Sequence, residues 1–285
     1  MKHATYLGIK QHVLSRRNVG WIVGSLACLI VLLVVLLWQL SNAYAAYRQT
    51  LYTIGAWPSA AGPWAGCNPT DFDGLRNPVG GYRVVNIGGK IYDHPVVQAQ
   101  DGLCALANNN TTRAITEASR LLAKHYMSYS TGGASGAYWY AYPFNYAEYG
   151  KATLTAHAPW WSGMAQGEAL ELFTQLYNVT NDSKWLNAAN HTWQSFLYPL
   201  KAGERVTARP VVTQVDASGY FWIEEYPTPN INDDTVNGLG FALYGLIDYE
   251  HLTKSATVLK LTRAGLTTFL HAAASARNPG TIASY

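Results

Sequence analysis

Residues 20–40 form a run of 21 residues without a charge, dense in Leu, Ile and Val. Wound as a helix at 1.5 Å per residue, such a run spans about 30 Å, the thickness of a bilayer's hydrocarbon core. Lys2, Lys10, Arg16 and Arg17 precede it and the first basic residue after it is Arg48. The positive-inside rule then puts the N-terminus in the cytoplasm and the chain beyond residue 45 outside. Trp21 and Trp38 sit near the two ends, where interfacial aromatics belong. The expectation is a basic tail over residues 1–19 and a single-pass anchor over 20–40. The alternative is secretion after cleavage at the small-x-small site Ala43-Tyr44-Ala45, although a secretory apolar region is usually only about 7–15 residues long.

Beyond the anchor, residues 41–90 read as a linker leading into a short β region. The stretch is rich in Pro and Gly, with a strand over 82–87 and a turn at Gly88-Gly89. After His94-Pro95 the apolar period becomes helical. Helices are expected over 97–107 and, capped by Thr111 or Thr112, to Tyr126, with Ile115, Leu122 and Tyr126 on its apolar side. Residues 130–158 lack a period and carry Gly132, Gly133, Gly136, Tyr138, Trp139, Tyr140 and Tyr142, a long aromatic loop of the kind that presents a binding surface. Further helices are expected from Pro159 to 177, over 184–197 behind Asn181 or Asp182, over 235–252 behind Asp233 or Asp234, and over 258–274. A strand-like stretch covers 205–224. Helix following helix predicts a mostly α domain over residues 91–285, with a small β-rich part. Paired helices wound into an (α/α) toroid or barrel, preceded by one transmembrane helix, fit that pattern.

Composition sharpens this picture in two ways. Tyr (20) and Trp (10) far outnumber Phe (7), and such rings, apolar with a polar tip, suit surfaces that stack on sugars as well as aromatic cores. The net charge of +3 is too small to argue for nucleic acid, yet leaves room for an acidic glycan if basic groups converge on a cleft. Cys28 lies in the apolar run, and Cys67 and Cys104 stand 37 residues apart with pairing left open.

Three segments hold candidate chemistry. In residues 159–170, Trp160, Met164 and Gly167 share a helical face, and Gln166 and Glu168 need partners if they face inward. In residues 222–229, an extended chain would turn Glu224 and Tyr226 one way and Glu225 the other. A carboxylate beside a phenol, stiffened by Pro227 and Pro229, is suited to moving protons. In residues 237–249, Gly238 and Gly245 lie one heptad apart and permit close helix contact. Asn237 in the first turn can donate into a cleft or support the cap. There is no Gly-x-Ser-x-Gly, no phosphate-binding loop and no Cys/His metal cluster, so no metal or cofactor is expected. Acid–base chemistry or pure binding remains.

Together these segments resemble the C-terminal region of the D-glucuronyl C5-epimerases. That family runs Trp-x-Ser-x-Met-Ala-Gln-Gly, then Glu-Glu-Tyr-Pro-Thr, then Leu-Asn-Gly-Phe with Gly-Leu-Tyr-Asp. Here Trp161, Gly163, Met164, Ala165, Gln166 and Gly167 are followed by Glu224-Glu225-Tyr226-Pro227-Thr228, then by Val236-Asn237-Gly238 and Gly245-Leu246-Ile247-Asp248-Tyr249. Upstream, the segment around Gln98, Gln100 and Leu103 is similar to an Ile-Ala-Gln-Tyr-Gly-Leu helix of the family. The likeness covers roughly residues 90–285. It implies an (α/α) toroid that converts D-glucuronate to L-iduronate within an acidic, heparan-type polysaccharide. It implies Glu225, Tyr226 and Tyr285 as proton-transfer residues, and Trp160, Trp161, Gln166, Glu224, Asn237 and Gln100 as sugar contacts.

The sequence ends at Tyr285, where the family's Tyr-Asp-Leu-Arg segment would begin. That leads us to expect either further sequence or impaired activity. Two other readings share the features: a uronate polysaccharide lyase, which starts with the same proton abstraction, and a non-catalytic glycan-binding membrane protein. A homodimer is the assembly left open.

Overall fold

A computed structural model describes residues 31, 62–68, 74–127, 136–147, 150–152, 155–204, 210–227 and 234–276. The chain divides into two compact units, Met1–Ala45 and Ala46–Tyr285. Of the first, Val31 alone is described, and it is helical and exposed. The expected anchor over 20–40 otherwise lies outside the described residues. Among those residues no helix is long and apolar enough to cross a membrane.

The second unit is mostly helical with several small sheets. A hairpin of β1 (Leu75–Arg76), β2 (Arg83–Ile87) and β3 (Lys90–Tyr92) leads in, with antiparallel pairing of Val85 to Tyr92 across the Gly88-Gly89 turn. Helix α1 (Pro95–Ala107) begins two residues before the sequence suggests. Pro95 fits the first helical position, where no N–H is needed, and His94 Nδ1 accepts from Val97 N–H at 3.3 Å. Helix α2 (Thr111–Ala123) is capped by Asn110, not by either threonine, because its Oδ1 accepts from Arg113 N–H. It also stops short of Tyr126. Residues Tyr126–Met127 (β4) pair instead with Tyr138–Trp139 (β5).

The aromatic loop is drawn into short strands, β6 (Ala141–Tyr142), β7 (Tyr146–Ala147) and β8 (Thr155–Ala156), with β6 paired to β9 (Trp160–Trp161). The helix expected from Pro159 therefore starts later. A cis Ala158–Pro159 bond and extended backbone through Trp161 precede α3 (Gly163–Thr180), whose cap is Ser162. Asp182 caps α4 (Ser183–Trp193) as the sequence suggests, and a 3-10 turn over Gln194–Phe196 finishes it. Strands β10 (Leu200–Lys201), β11 (Thr213–Val215) and β12 (Phe221–Ile223) form a sheet, followed by α5 (Val236–Thr253) and α6 (Ala256–Ala276). Thr235, rather than Asp233 or Asp234, occupies the α5 N-cap position.

The helices pack pairwise, α1 with α2, α3 with α4 and with α5, and α5 with α6. Helices α3 and α5 cross at their backbones: a Cβ on Gly167 would overlap Ala242, and one on Gly245 would overlap the Gly167 carbonyl. Around that crossing Leu170, Leu172, Phe173, Leu176, Leu239 and Leu246 are fully buried. The Cys67–Cys104 disulfide, with Cα atoms 5.9 Å apart, fastens the segment before the hairpin to α1. Asp101, fully buried on α1, binds Arg76, Arg83 and Arg113, while buried Glu117 accepts the Arg83 N–H. A second buried polar group sits along α3. Trp64 and Gln175 both donate to Glu171 Oε1, and Gln175 also donates to Asp248 at 2.9 Å.

Candidate active site

Short strands, held edge to edge, bring the loop aromatics together into a bowl. Tyr142 stacks on Trp160 at 3.9 Å, and Tyr146 stacks on Tyr226 at 5.0 Å with Trp160 beside both. The Trp160 indole N–H donates to the Phe144 carbonyl at 2.8 Å, which fixes the ring. His94 closes one side, edge-on to Tyr142. Apolar walls of this kind make any carboxylate within them depend on its few partners.

Two carboxyl groups enter the bowl. Glu225 is 8% exposed, and its charge lies close enough to the Tyr226 hydroxyl to act on it, with Tyr146 stacked on the Tyr226 ring. Burial first, then the Glu225 charge, push the Tyr226 hydroxyl well up, so it stays a neutral donor at ordinary pH. Glu168 is fully buried on α3, and Gln100 of α1 donates to its Oε1 at 2.9 Å. Its Oε2 is buried without a hydrogen-bond partner among the described residues. Burial, reinforced by Glu225, raises the Glu168 carboxyl well above the usual carboxylate range. Tyr142 neighbours both acids, and burial, then the charges of Glu168 and Glu225, raise its hydroxyl strongly.

The sequence candidates divide between the bowl and its frame. Trp160, Glu225, Tyr226 and Gln100 meet in or beside the bowl. Glu224 goes elsewhere: it accepts from Gln214 and from the Asp234 backbone N–H, pinning the chain ahead of α5. The expected alternation does not carry through, because the strand ends at Ile223 and the chain bends at Glu225 and Tyr226. Gln166 is fully buried and clamps the loop, accepting from Tyr140 N–H at 2.9 Å and donating to the Tyr138 carbonyl at 2.8 Å. Trp161 is half-buried and edge-on to Trp139.

Asn237 was expected in one cleft with Glu225 and Tyr226. It lines an apolar cleft of about 370 Å³ with Pro63, Phe241, Tyr244 and Phe269. Its helix neighbour Gly238 is in contact with Glu225. Tyr285 lies outside the described residues. Tyr142, Tyr146 and Glu168 are site members absent from the candidate set. The signal for the tyrosines was the Tyr-rich loop, and for Glu168 a carboxylate on an otherwise apolar helix. Among the described residues no group of three or more His, Cys, Asp or Glu is arranged to hold a metal ion.

The family model of the D-glucuronyl C5-epimerase C-terminus matches residues 134–285, more than half of the chain. The chain belongs to this family. The matched segment contains Tyr142, Tyr146, Trp160, Glu168, Glu225 and Tyr226, that is, both carboxyls and most of the aromatic bowl. Gln100 and the disulfide lie upstream of it. A C5-epimerase role in general follows from membership.

Proposed function

We propose that this epimerase-family chain inverts C5 of D-glucuronate units to L-iduronate within an acidic, glycosaminoglycan-like polysaccharide. The observation that carries the reading is the buried Glu225 next to Tyr226, whose ring packs in the aromatic bowl within the family-matched segment. The C5 hydrogen is only weakly acidic, so its removal needs a positioned base and stabilisation of the resulting enediolate. The Glu225 carboxylate takes the C5 proton, and the C–H electron pair moves into the sugar's C6 carboxylate. Tyr226, held neutral, stands beside that base. Return of a proton to the opposite face gives the iduronate, and the family likeness assigns this step to a tyrosine, matched here by Tyr285. Trp160 and its neighbours supply flat apolar surface for the sugar ring.

The paired helices are read as part of an (α/α) toroid. The domain is read as lying outside the cytoplasm behind the apolar run at 20–40. A disulfide between Cys67 and Cys104 supports that compartment, since such bonds persist where the surroundings oxidise. The test is incubation of the full chain with glucuronan or heparosan-like polymer in deuterium oxide. Deuterium at C5 with intact polymer is the expected result. Shortened polymer with unsaturated uronate absorbance would make the protein a lyase, and neither change would make it a binding module.

A further inference from the structure

We propose that Glu168 is a positioning residue of the proton-transfer site, the proton-bearing partner that leaves Glu225 as the ionised base. The inference rests on the epimerase reading, and its physical ground is the way Glu168 is enclosed. The side chain is fully buried, Gln100 donates to Oε1 at 2.9 Å, and Oε2 meets no hydrogen-bond partner among the described residues. One amide N–H is far too little to hold a buried carboxylate anion, which needs two or three donors or a cation. A neutral carboxyl fits the same setting, because the amide occupies Oε1 and the hydrogen then sits on Oε2.

The groups that face Glu168 point the same way. They are Gln100 from α1, Tyr142 from β6, Glu225 from the segment after β12, and Glu171 one turn along its own helix. None is a cation. Two carboxyls in electrostatic contact away from water share one charge between them. Glu225 is 8% exposed where Glu168 is fully buried, so the charge settles on Glu225. Glu168 then withholds a second negative charge that would repel the substrate's carboxylate. Because Glu168 acts through Glu225, its removal should slow the reaction without eliminating the base.

Two measurements on the full chain test this. The first is the difference infrared spectrum between the native protein and Glu168→Gln at neutral pH. Loss of a protonated-carboxyl C=O stretch, shifted in deuterium oxide, is expected, whereas loss of carboxylate bands alone would overturn the proposal. The second is C5 deuterium exchange. Glu168→Ala should lose about tenfold or more, the scale of one hydrogen bond to a charged group. Glu168→Gln, which keeps a neutral donor in the same volume, should recover much of that loss, and Glu225→Gln should not. Native-like exchange in Glu168→Ala would overturn the positioning role. So would a Glu168→Gln as inactive as Glu225→Gln, since Glu168 would then itself be an ionised base. Absence of exchange in the native protein would defeat the epimerase reading instead, while the infrared band still decides which acid holds the proton.

Discussion

Gly238 and Glu225 are in direct contact: a Cβ built on Gly238 would stand 2.5 Å from Oε2 and 2.6 Å from Cβ of Glu225. The first turn of α5 is thus the floor on which the candidate base rests. Glycine is needed there for closeness, since the residue is buried and helical. Gly238→Ala should therefore displace the carboxylate from the Tyr226 hydroxyl. We expect C5 exchange to fall by about tenfold or more, up to the 10²–10⁴-fold that a general base contributes. Thermal stability should fall more modestly, because the helix gains a better helix former. A variant with native exchange would show that Glu225 is not the base.

The Tyr226 hydroxyl lies under the influence of Glu225, while its ring stacks on Tyr146 within the bowl. Tyr226→Phe keeps the ring and removes the hydroxyl. Stability should change by about 1–2 kcal/mol at most, the range for one or two net hydrogen bonds. Exchange should drop tenfold or more if the hydroxyl holds the base in place, and kcat should carry the loss more than KM. Single-variant kinetics on a defined glucuronan settle the split.

The sequence exposed the helices more readily than the site. Apolar spacing located α1, α3, α4, α5 and α6, because each has a continuous buried face at helical period. It misplaced the start of α3 by reading Pro159 as a first-turn proline. The cis bond and the pairing of Trp160–Trp161 with Ala141–Tyr142 are tertiary facts that no local period reports. The motifs point to Glu225 and Tyr226, which pack at the bowl, while Trp160 stands just ahead of its motif. Glu224 and Gln166 carry the same motifs but frame the site, and only their hydrogen-bond partners distinguish them. Tyr142 and Tyr146 were hidden because two-residue strands have too few positions for an alternation to show.

The Cys67–Cys104 bond closes a loop of 37 residues that includes the whole hairpin and most of α1. By chain entropy, a loop of that size lowers the unfolded state's freedom by about 3–4 kcal/mol. Trp64, three residues before Cys67, donates to buried Glu171, so the bond also restrains that contact. Reductant should lower Tm by several degrees, and Cys67→Ser with Cys104→Ser should reproduce the shift and abolish further response to reductant. An unchanged Tm in both cases would mean that the bond does not restrain the unfolded chain.

Asp248 gives a pH dependence whose sign follows from its setting. Burial raises its carboxyl from the ordinary 3.8 to about 6, opposed by the Gln175 hydrogen bond. Between those two values the folded protein holds the proton more tightly than the unfolded chain, so raising the pH removes more protons from the native state. Asp248 therefore favours the fold below about pH 4, and that contribution is lost as pH rises through about 6. At 1.36 kcal/mol per unit the full effect is about 3 kcal/mol at most, reduced by the partial exposure of the side chain. Buried Glu117, raised to about 7, contributes in the same direction, so the informative quantity is the difference between variant and native protein. Asp248→Asn keeps an oxygen for Gln175 and cannot ionise. Its Tm relative to native should rise between about pH 4 and about pH 6 and level off beyond that. A difference that stays constant across that range would show that Asp248 titrates alike in the folded and unfolded states.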